Sequence, residues 1–317
     1  MFTLRDSFET CPTLMRDACC QTLMDMAEKN EDIVVLDSDL VNSSGLKPFF
    51  KFFPDRAIEC GIAEANMICV AAGMSTTGLV PFASTFAMFA AGRAYEQVRN
   101  SIGYPQLNVK IGATHGGISV GEDGASHQCC EDFGLMRTIP GMVVMSPADD
   151  VEAKAMVRAA YEHEGPVYMR FGRAAVPVVH GDDFKFQIGK GEVLREGSDV
   201  AIIANGLMTY EALVAAEELE KDGIHAMVIN MGTIKPLDEE LVLEAARKCG
   251  KIITAEEHSI IGGLGEAVAA VLSEKLPTPL KRVGVNDEFG HSGPAAAVLK
   301  QFGLSAENLV KVAKSMM

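Results

Sequence analysis

The segment NVKIGATHGGISVGEDGASHQ, residues 108–128, joins two kinds of sequence that decide the fold. It begins with a run of apolar and small residues that predicts a strand, and it continues as a glycine-rich tract that predicts a loop. The loop carries His115, Glu122, Asp123 and His127, where an ordinary surface loop would carry lysine and serine. Because ligands of parallel sheets bind beyond the carboxyl ends of strands, this loop is the first candidate for a binding site.

Short β-rich runs alternate with helical patterns on both sides of this segment. DIVVLDSDL (32–40), LVPFAST (79–85) and GMVVMSP (141–147) are predicted strands. The stretch 62–76 has a helical period, and an amphipathic helix with an acidic first turn follows the third strand. Alternating β and α elements predict parallel sheets that are covered by helices.

The length of 317 residues favours two domains. A loop-like stretch with proline, glycine and two aspartates interrupts the alternation, which then restarts. We therefore expect a first domain over residues 1–175, a linker over 176–190 and a second domain over 191–317. Each domain is predicted to be α/β, with a mostly parallel sheet covered by helices.

Composition limits the classes of partner and the compartment. The formal net charge is −15 and the pI is about 4.9, which argues against nucleic acid or an anionic membrane as a partner. The N-terminus does not resemble a signal peptide, and no apolar stretch is long enough to span a bilayer. The eight cysteines include no C-x-x-C spacing, which is typical of reduced thiols in a cytoplasmic protein.

Glu64 and two phenylalanines are candidate site residues with two interpretations each. Glu64 lies in CGIAEANM (60–67), near the start of a helix that is otherwise small and apolar. It could satisfy the helix dipole, or it could be a carboxyl group kept for proton transfer. Phe86 and Phe89 are one helical turn apart, so they could be core residues or a stacking wall for a flat ring.

The polar side chains of the glycine loop could bind a metal ion or a polar ligand. The spacing of His115, Glu122, Asp123 and His127 matches no zinc pattern, so we predict no metal site. A ligand with several hydroxyl groups suits the loop better, because histidines donate and accept, carboxylates accept, and glycines let the backbone come close.

Three arginines, Arg16, Arg170 and Arg173, could contact a phosphate or carboxylate group, although each alone is more commonly a surface ion pair. Motifs for other chemistries are absent from the sequence. GGLGEA (262–267) lacks the G-x-G-x-x-G spacing, and there is neither a phosphate-binding G-x-x-x-x-G-K-[ST] loop nor a G-x-S-x-G elbow.

Together these segments resemble the C-terminal half of a transketolase, in the family of thiamine-diphosphate enzymes. CGIAEANM resembles the glutamate motif of the family, STFAMF its pyrimidine-stacking motif, and THGGISVGEDGASHQ its substrate loop. Three motifs in one order are far more specific than any one of them, and the resemblance covers essentially the whole chain. It implies a pyrimidine-binding thiamine-diphosphate fold followed by a transketolase C-terminal domain, and it favours the functional interpretation of Glu64.

The resemblance also implies a role for each matching residue. Glu64 and His127 would be catalytic: Glu64 would hydrogen-bond a ring nitrogen of the aminopyrimidine, and His127 would contact the oxygen of the reacting carbonyl. His115 would face the phosphate end of the sugar, and Asp123 one of its hydroxyl groups. The residues implied to bind the cofactor are Glu64, Phe86, Phe89, Asp39 and Leu40. The residues implied to bind substrate are Arg16, Ser43, His115, Asp123, His127 and Arg173.

One part of a transketolase is missing from the sequence. Transketolases bind the diphosphate and its divalent metal through a G-D-G…N segment, whereas GDD at 181–183 has no suitable Asn partner and falls in the predicted linker. The resemblance therefore implies the C-terminal subunit of a split transketolase. A separate N-terminal subunit would hold the diphosphate of the thiamine cofactor together with Mg²⁺ or Ca²⁺, in a heterotetramer of two copies of each chain. Gly92 stands where a third aromatic residue is common, and Tyr95 could compensate for it.

The implied activity is the transfer of a two-carbon ketol unit from a ketose phosphate to an aldose phosphate, through a carbanion on the cofactor, as in pentose phosphate metabolism. The beta subunits of 2-oxoacid dehydrogenases share the layout but generally lack a GEDGxxHQ-like loop. Deoxyxylulose-phosphate synthases share more of the loop but usually lack a histidine at the position of His115. A non-catalytic assembly homologue would have no use for Glu64 or the two histidines. We predict that the remaining acidic residues and histidines cap loops or line the partner interface; they are Glu256, Glu257, His258, Glu288 and His291.

Overall fold

The computed structural model describes residues 13–181 and 183–317, and these fold into two helix-covered sheets. The strands of the first sheet are β1 (Ile33–Asp37), β2 (Ala57–Glu59), β3 (Val80–Phe86), β4 (Lys110–Thr114), β5 (Val143–Met145), β6 (Val167–Arg170) and β10 (Thr233–Lys235). The strands of the second sheet are β7 (Glu192–Arg195), β8 (Val200–Ala204), β9 (Ala226–Asn230), β11 (Ile252–Ser259) and β12 (Leu280–Val285).

Both sheets are mostly parallel. The strand order is β10-β5-β6-β4-β3-β1-β2 in the first sheet and β12-β11-β8-β9-β7 in the second. All pairings of these strands are parallel except β10 with β5 and β7 with β9. The predicted fold class, two α/β units that are each built on a mostly parallel sheet covered by helices, is confirmed.

Helices cover the sheets, so central strands are buried on both faces. In β1, β4, β6, β8 and β9 every residue is buried, which explains why these strands read as nearly continuous apolar runs. The helices are α1 (Met15–Ala27), α2 (Lys47–Phe52), α3 (Glu64–Ser75), α4 (Tyr95–Gln97), α5 (Asp132–Arg137), α6 (Asp150–Glu162), α7 (Met208–Lys221), α8 (Glu239–Cys249), α9 (Leu264–Lys275), α10 (Ala295–Gln301) and α11 (Ala306–Lys314). Within the described part of the chain, none of them has the length and apolar character needed to cross a membrane.

Strand β10 connects the two halves of the chain. Its three residues belong to the C-terminal half, yet they pair antiparallel with β5 of the first sheet, with Thr233 opposite Met145. A three-residue strand carries too little periodicity to be predicted from sequence. The domain limits at 175 and 191 stay proposals, and Asp182 of the predicted linker lies outside the described residues.

The segment that follows β3 is helical, but it is not a regular α-helix. Two wide π-turns, Phe89–Arg93 and Val98–Gly103, flank the single α-helical turn α4. In the first of them the backbone N–H of Ala94 donates to the carbonyl of Phe89 at 3.0 Å. Such wide turns occur frequently at functional sites, where they redirect side chains.

One edge of the first sheet collects the carboxyl ends of six strands. The strands β1 to β6 are all parallel and finish there, so their last residues lie along the same edge. These residues are Asp37, Glu59, Phe86, Thr114, Met145 and Arg170. The loops that follow these strands carry most of the side chains that the sequence predicts to be site residues.

Candidate active site

Glu64 is a buried carboxylate with a dedicated partner. It is the first residue of α3, in the turn that follows β2, and its side chain is 1% exposed. Both carboxylate oxygens accept a hydrogen bond from Nη1 of Arg93, at 3.0 and 2.9 Å. A carboxylate that only balanced the helix dipole would remain in solvent. The structure therefore places Glu64 as a group held at a fixed position under the sheet edge.

An aromatic wall lies at the same edge. The rings of Phe86 and Phe89 stack with centroids 5.8 Å apart. The ring of His115 stacks on Phe86 at 4.0 Å, and His127 meets Phe89 edge-on at 5.6 Å. The guanidinium of Arg93 lies over the ring of Phe89, 4.3 Å from its centroid. The structure thus brings four of the nominated residues into one cluster.

His115 is a buried neutral imidazole. It directly follows β4 in a left-handed backbone conformation with φ of 57°, and its Nδ1 lies 3.0 Å from the hydroxyl of Thr114. The pKa of His115 is lowered to about 3, mainly by burial and also by the positive charges of Arg16 and Arg173 and by the nearby ring of His127. At neutral pH the ring can therefore donate one hydrogen bond and accept another.

Arg16 and Arg173 supply positive charge beside His115. The Nε of Arg16 is buried and has no hydrogen-bond partner among the described residues, and it lies 4.0 Å from a carboxylate oxygen of Asp17. Arg173 lies 3.1 Å from a carboxylate oxygen of Glu122 in the glycine loop. An unpartnered guanidinium nitrogen is a ready donor for an anionic ligand.

The turn after β1 carries Asp39, Leu40 and Ser43. Asp39 is exposed, with a left-handed φ of 61°. The N–H of Leu40 donates to the carboxylate of Asp37 at 2.5 Å, and the N–H of Ser43 donates to the carbonyl of Leu40 at 2.8 Å. Burial raises the pKa of Asp37 to about 6. The buried carboxyl group of Asp37 therefore holds this turn in place through its hydrogen bond to Leu40.

Glu59 is a residue of this edge that sequence reasoning missed. One of its carboxylate oxygens accepts the N–H of Asp39 at 2.7 Å and the N–H of Gly61 at 2.9 Å. Glu59 thereby ties the turn after β1 to the turn that leads to Glu64. Arg93 was missed as well. Neither residue belongs to a motif. The only indications in the sequence were that Glu59 is an acidic residue shortly before Glu64, and that Arg93 is a basic residue one helical turn after Phe89.

Asp123 and His127 lie on the outer part of the glycine loop. Asp123 is exposed at the end of the short helical turn Ile118–Asp123. The Nδ1 of His127 lies 2.9 Å from the hydroxyl of Ser126. His127 belongs to the aromatic cluster, whereas Asp123 is placed on the same loop without a contact to that cluster.

Arg170 is not available to bind a ligand anion. Its Nε lies 3.3 Å from the carboxylate of Asp132, and its Nη2 donates to the carbonyls of Cys129 at 3.2 Å and Glu257 at 2.8 Å. The guanidinium also lies 4.5 Å from the ring centroid of Phe133. Burial opposes the charge of Arg170, but Asp132 and Glu257 outweigh it and raise the pKa of the guanidinium. Of the two interpretations open from sequence, an ion pair is correct, and it is buried.

The glycines of the loop make room for this buried pair. A Cβ at Gly116 would overlap the side chain of Arg170, and a Cβ at Gly117 would overlap both Arg170 and Glu257. Gly117 also has a φ of 83°, which favours glycine. The carboxylate of Glu257 accepts the N–H of Ser119 at 2.5 Å. The loop is therefore anchored on a carboxylate from the second half of the chain.

Glu256 and His258 have structural contacts. Glu256 accepts the N–H groups of Leu264 and Gly265 at 2.6 and 2.7 Å and so caps the start of α9. His258 stacks on Phe133 at 5.0 Å, and burial lowers its pKa to about 4. Both side chains are buried within the chain, so neither is free to line a surface.

Glu288 and His291 lie in the loop after β12. Glu288 is exposed, and the carbonyl of His291 accepts a hydrogen bond from the side-chain amide of Gln128 at 3.1 Å. This contact joins the loop to the outer part of the glycine loop. Their predicted role at a partner interface stays a prediction.

The cluster at the sheet edge has the chemistry to hold a flat nitrogen heterocycle. A buried carboxylate can accept from a ring nitrogen, and the neighbouring phenyl rings can cover a planar face. The guanidinium of Arg93, which is itself a flat N–H donor, makes both contacts in the structure. Among the described residues there is no group of three or more histidine, cysteine or acidic side chains that could hold a metal ion.

Two family models match the chain in the order that its motifs imply. "Transketolase, pyrimidine binding domain" matches residues 12–178, and "Transketolase, C-terminal domain" matches residues 189–309. A solved structure of a split-gene transketolase, described as an inactive beta4 tetramer, is 53% identical and has a TM-score of 0.89. That match covers 95% of this chain and 97% of the other.

Two curated relatives are named for particular sugars. The 6-deoxy-6-sulfo-D-fructose transketolase subunit SqwH of Clostridium sp. (strain MSTE9) is 45% identical, over 94% of this chain and 93% of its own. A subunit of the apulose-4-phosphate transketolase of Phocaeicola vulgatus is 39% identical, over 94% of this chain and 96% of its own.

Proposed function

Because the chain belongs to the transketolase family and corresponds to its C-terminal section, as its motifs predicted, we propose that it is the C-terminal subunit of a split transketolase. With an N-terminal subunit it transfers a two-carbon ketol unit from a ketose to an aldose. The observation that carries this proposal is the meeting of buried Glu64, the wall of Phe86 and Phe89, and His115 and His127 at one sheet edge.

Thiamine diphosphate, when bound, supplies the nucleophilic carbon and the electron sink for breaking and forming the carbon–carbon bond. The residues at the edge bind and orient it. Glu64 holds a proton at a ring nitrogen of the aminopyrimidine, and Phe86 and Phe89 stack on that ring. Asp39 and Leu40 line the ring from the turn after β1, which Glu59 holds in place.

The sugar lies between the glycine loop and the arginines. His127 donates to the oxygen of the reacting carbonyl, and Asp123 accepts from a hydroxyl group. Arg16, Ser43 and Arg173 bind the charged end of the sugar, with neutral His115 beside them. The Nε of Arg16, which has no hydrogen-bond partner within the described part of the chain, supports this assignment. Phosphate and sulfonate groups are both anionic acceptors of several hydrogen bonds, so this set fits either.

The N-terminal subunit supplies what the C-terminal section does not. We propose that it binds the diphosphate and Mg²⁺ or Ca²⁺, and that two copies of each subunit form a cytoplasmic heterotetramer. The relative described as an inactive beta4 tetramer supports this division, because that assembly is without activity. The net charge of −15 argues against nucleic acid and anionic membranes as further partners, and we propose sugar phosphates, bound locally by Arg16 and Arg173, as the small-molecule partners.

Reconstitution tests the proposal. The chain, the N-terminal subunit encoded beside it, and their equimolar mixture are each assayed with thiamine diphosphate, Mg²⁺ and ribose 5-phosphate. The donors are xylulose 5-phosphate and a 6-sulfonated ketose. We expect turnover in the mixture only. The donor that the mixture prefers will show whether the site takes a sugar with a phosphate or with a sulfonate group. Turnover by the chain alone would refute the division of the site, and a stable complex that is inactive with both donors would refute the assigned transfer.

A further inference from the structure

Arg93 makes the two contacts that the proposed function assigns to the aminopyrimidine. Its Nη1 donates to both oxygens of Glu64, at 3.0 and 2.9 Å. Its guanidinium also lies on the ring of Phe89, 4.3 Å from the centroid. A guanidinium resembles an aminopyrimidine in being flat, delocalised and rich in N–H donors.

We propose that Arg93 is a positioning residue of the cofactor site, whose guanidinium holds Glu64 until the aminopyrimidine takes its place. The inference rests on the proposed function, since it assumes that Glu64 and Phe89 are the pyrimidine contacts. The pair and the cofactor then compete for the same carboxylate and the same aromatic surface. Binding of the cofactor requires Arg93 to turn outwards.

The geometry allows this exchange. The side chain of Arg93 is 49% exposed, whereas that of Glu64 is 1% exposed, so the mobile partner is on the solvent side. Only one nitrogen of the guanidinium bonds Glu64. Gly92, next to it in the wide turn Phe89–Arg93, is exposed and has no side chain to block the movement.

The pair also has a reason to exist before the cofactor binds. A buried carboxylate without a partner is costly, and Arg93 removes that cost. Because the aminopyrimidine must displace the guanidinium, the cofactor binds more weakly than it would to a site that is already open. Removing the guanidinium should therefore strengthen cofactor binding, whereas removal of a purely structural residue would weaken it or leave it unchanged.

The first test concerns the chain without partner or cofactor. A double-mutant cycle of Arg93→Met and Glu64→Gln is measured by thermal unfolding at one protein concentration, with Arg99→Met as the control. Arg99 is exposed on the same irregular helix, and among the described residues its side chain bonds only Asn100. We expect Arg93→Met to lower Tm by a few degrees, and to lower it much less when Glu64→Gln is present. Equal effects in both backgrounds would show that the two residues are not coupled and would overturn the inference.

The second test is equilibrium dialysis of thiamine diphosphate with Mg²⁺ against the complex with the N-terminal subunit. We expect Arg93→Met to lower the Kd about 5-fold or more, and Arg99→Met to leave it unchanged. An unchanged or higher Kd for Arg93→Met, beside normal binding by the wild-type complex, would overturn the competition and leave the proposed function standing. No binding by the wild-type complex would instead overturn the proposed function and this inference with it.

Discussion

Two regions of the molecule each combine an arginine, a carboxylate and a phenyl ring, but the surroundings of the three groups differ. At the sheet edge, Arg93 pairs with Glu64 and lies on Phe89. Behind the glycine loop, Arg170 pairs with Asp132 and lies on a phenyl ring 4.5 Å from its centroid. The first arginine is half exposed, whereas the side chain of Arg170 is 4% exposed.

The difference shows how burial decides between exchange and permanence. Arg170 also donates to two backbone carbonyls, and breaking its pair would leave Asp132 buried without a cation. Arg93 can turn into solvent, and only Glu64 has to find a new donor. The buried pair of Arg170 and Asp132, here called the sealed pair, therefore stabilises the fold. In the half-exposed pair of Arg93 and Glu64, here called the open pair, a ligand can replace the arginine as the partner of the carboxylate.

The largest expected effect is on turnover, and it distinguishes Glu64, which we place in the reaction, from Asp132, which stabilises the fold. In the reconstituted complex, Glu64→Gln should lower kcat about 10²–10⁴-fold, because the ring nitrogen loses its proton-transfer partner. The free energy of unfolding should change little, since a neutral amide needs no cation and costs less to bury than the carboxylate. Steady-state kinetics and urea denaturation measure the two quantities. Near-normal turnover of the variant would remove Glu64 from the mechanism.

A comparable effect on stability is expected at the sealed pair. Arg170→Met should lower the free energy of unfolding by about 3–5 kcal/mol, because it leaves Asp132 buried and unpaired. Urea denaturation of the chain measures this, with Arg93→Met as the matched control and a several-fold smaller loss. Adding Asp132→Asn to Arg170→Met should restore part of the stability. A loss at Arg170 no larger than that at Arg93 would contradict the comparison.

A smaller loss is expected where the loop passes over the sealed pair. Gly117→Ala should cost about 1–3 kcal/mol from its positive φ alone, and more from overlap with Arg170 and Glu257. Gly78→Ala is the control, because Gly78 also has a positive φ but no atom within 4 Å of an added Cβ. Thermal unfolding compares the two variants. Equal losses would mean that the contact with Arg170 and Glu257 adds nothing.

The smallest expected effect concerns His115, whose imidazole should not titrate between pH 5 and 8. Burial lowers the pKa of His115 to about 3, so its ring should stay neutral from pH 5 to 8. The unfolded chain binds this proton near pH 6.5, so His115 destabilises the fold as pH falls from 6.5 towards 3. His180 is the opposite case, because Asp149 and Glu192 outweigh the effect of burial and raise its pKa to about 10. Imidazole ¹⁵N shifts measure both rings, and a His115 shift that moves between pH 5 and 8 would contradict the description of its site.

Sequence reasoning predicts the parts of the fold that have periodicity. Strands buried on both faces appear as apolar runs, and helices between them show a 3.6-residue period. Strand β10 has three residues and pairs with a strand nearly 90 positions away, so no local pattern indicates it. The wide turns after β3 were also not predictable, because no local pattern in FAAGR or VRNSIG distinguishes a π-turn from a regular helical turn.

The candidate site was predictable where residues belong to motifs. Glu64, Phe86, Phe89, His115 and His127 were nominated from sequence, and the structure brings them to one edge. Exposure and pairing were not predictable, because they depend on segments that are distant along the chain.

Three residues illustrate that limit. Arg170 has the composition of an anion ligand but is sealed by Asp132, which lies 38 positions earlier in the chain. Arg93 and Glu59 acquire their roles only from tertiary contacts with the motif residues. Their charge is visible in the sequence, but their partners are not.

The most direct test of the account is hydrogen exchange of this chain, alone and in the complex with the N-terminal subunit, thiamine diphosphate and Mg²⁺. We expect new protection in the turn after β1, in the start of α3 and in the wide turn Phe89–Arg93. Peptides that contain Asp132 and Arg170 should exchange slowly in both states. Protection confined to other surfaces, with the turn Phe89–Arg93 unchanged, would contradict the claim that this edge is completed by the partner and the cofactor.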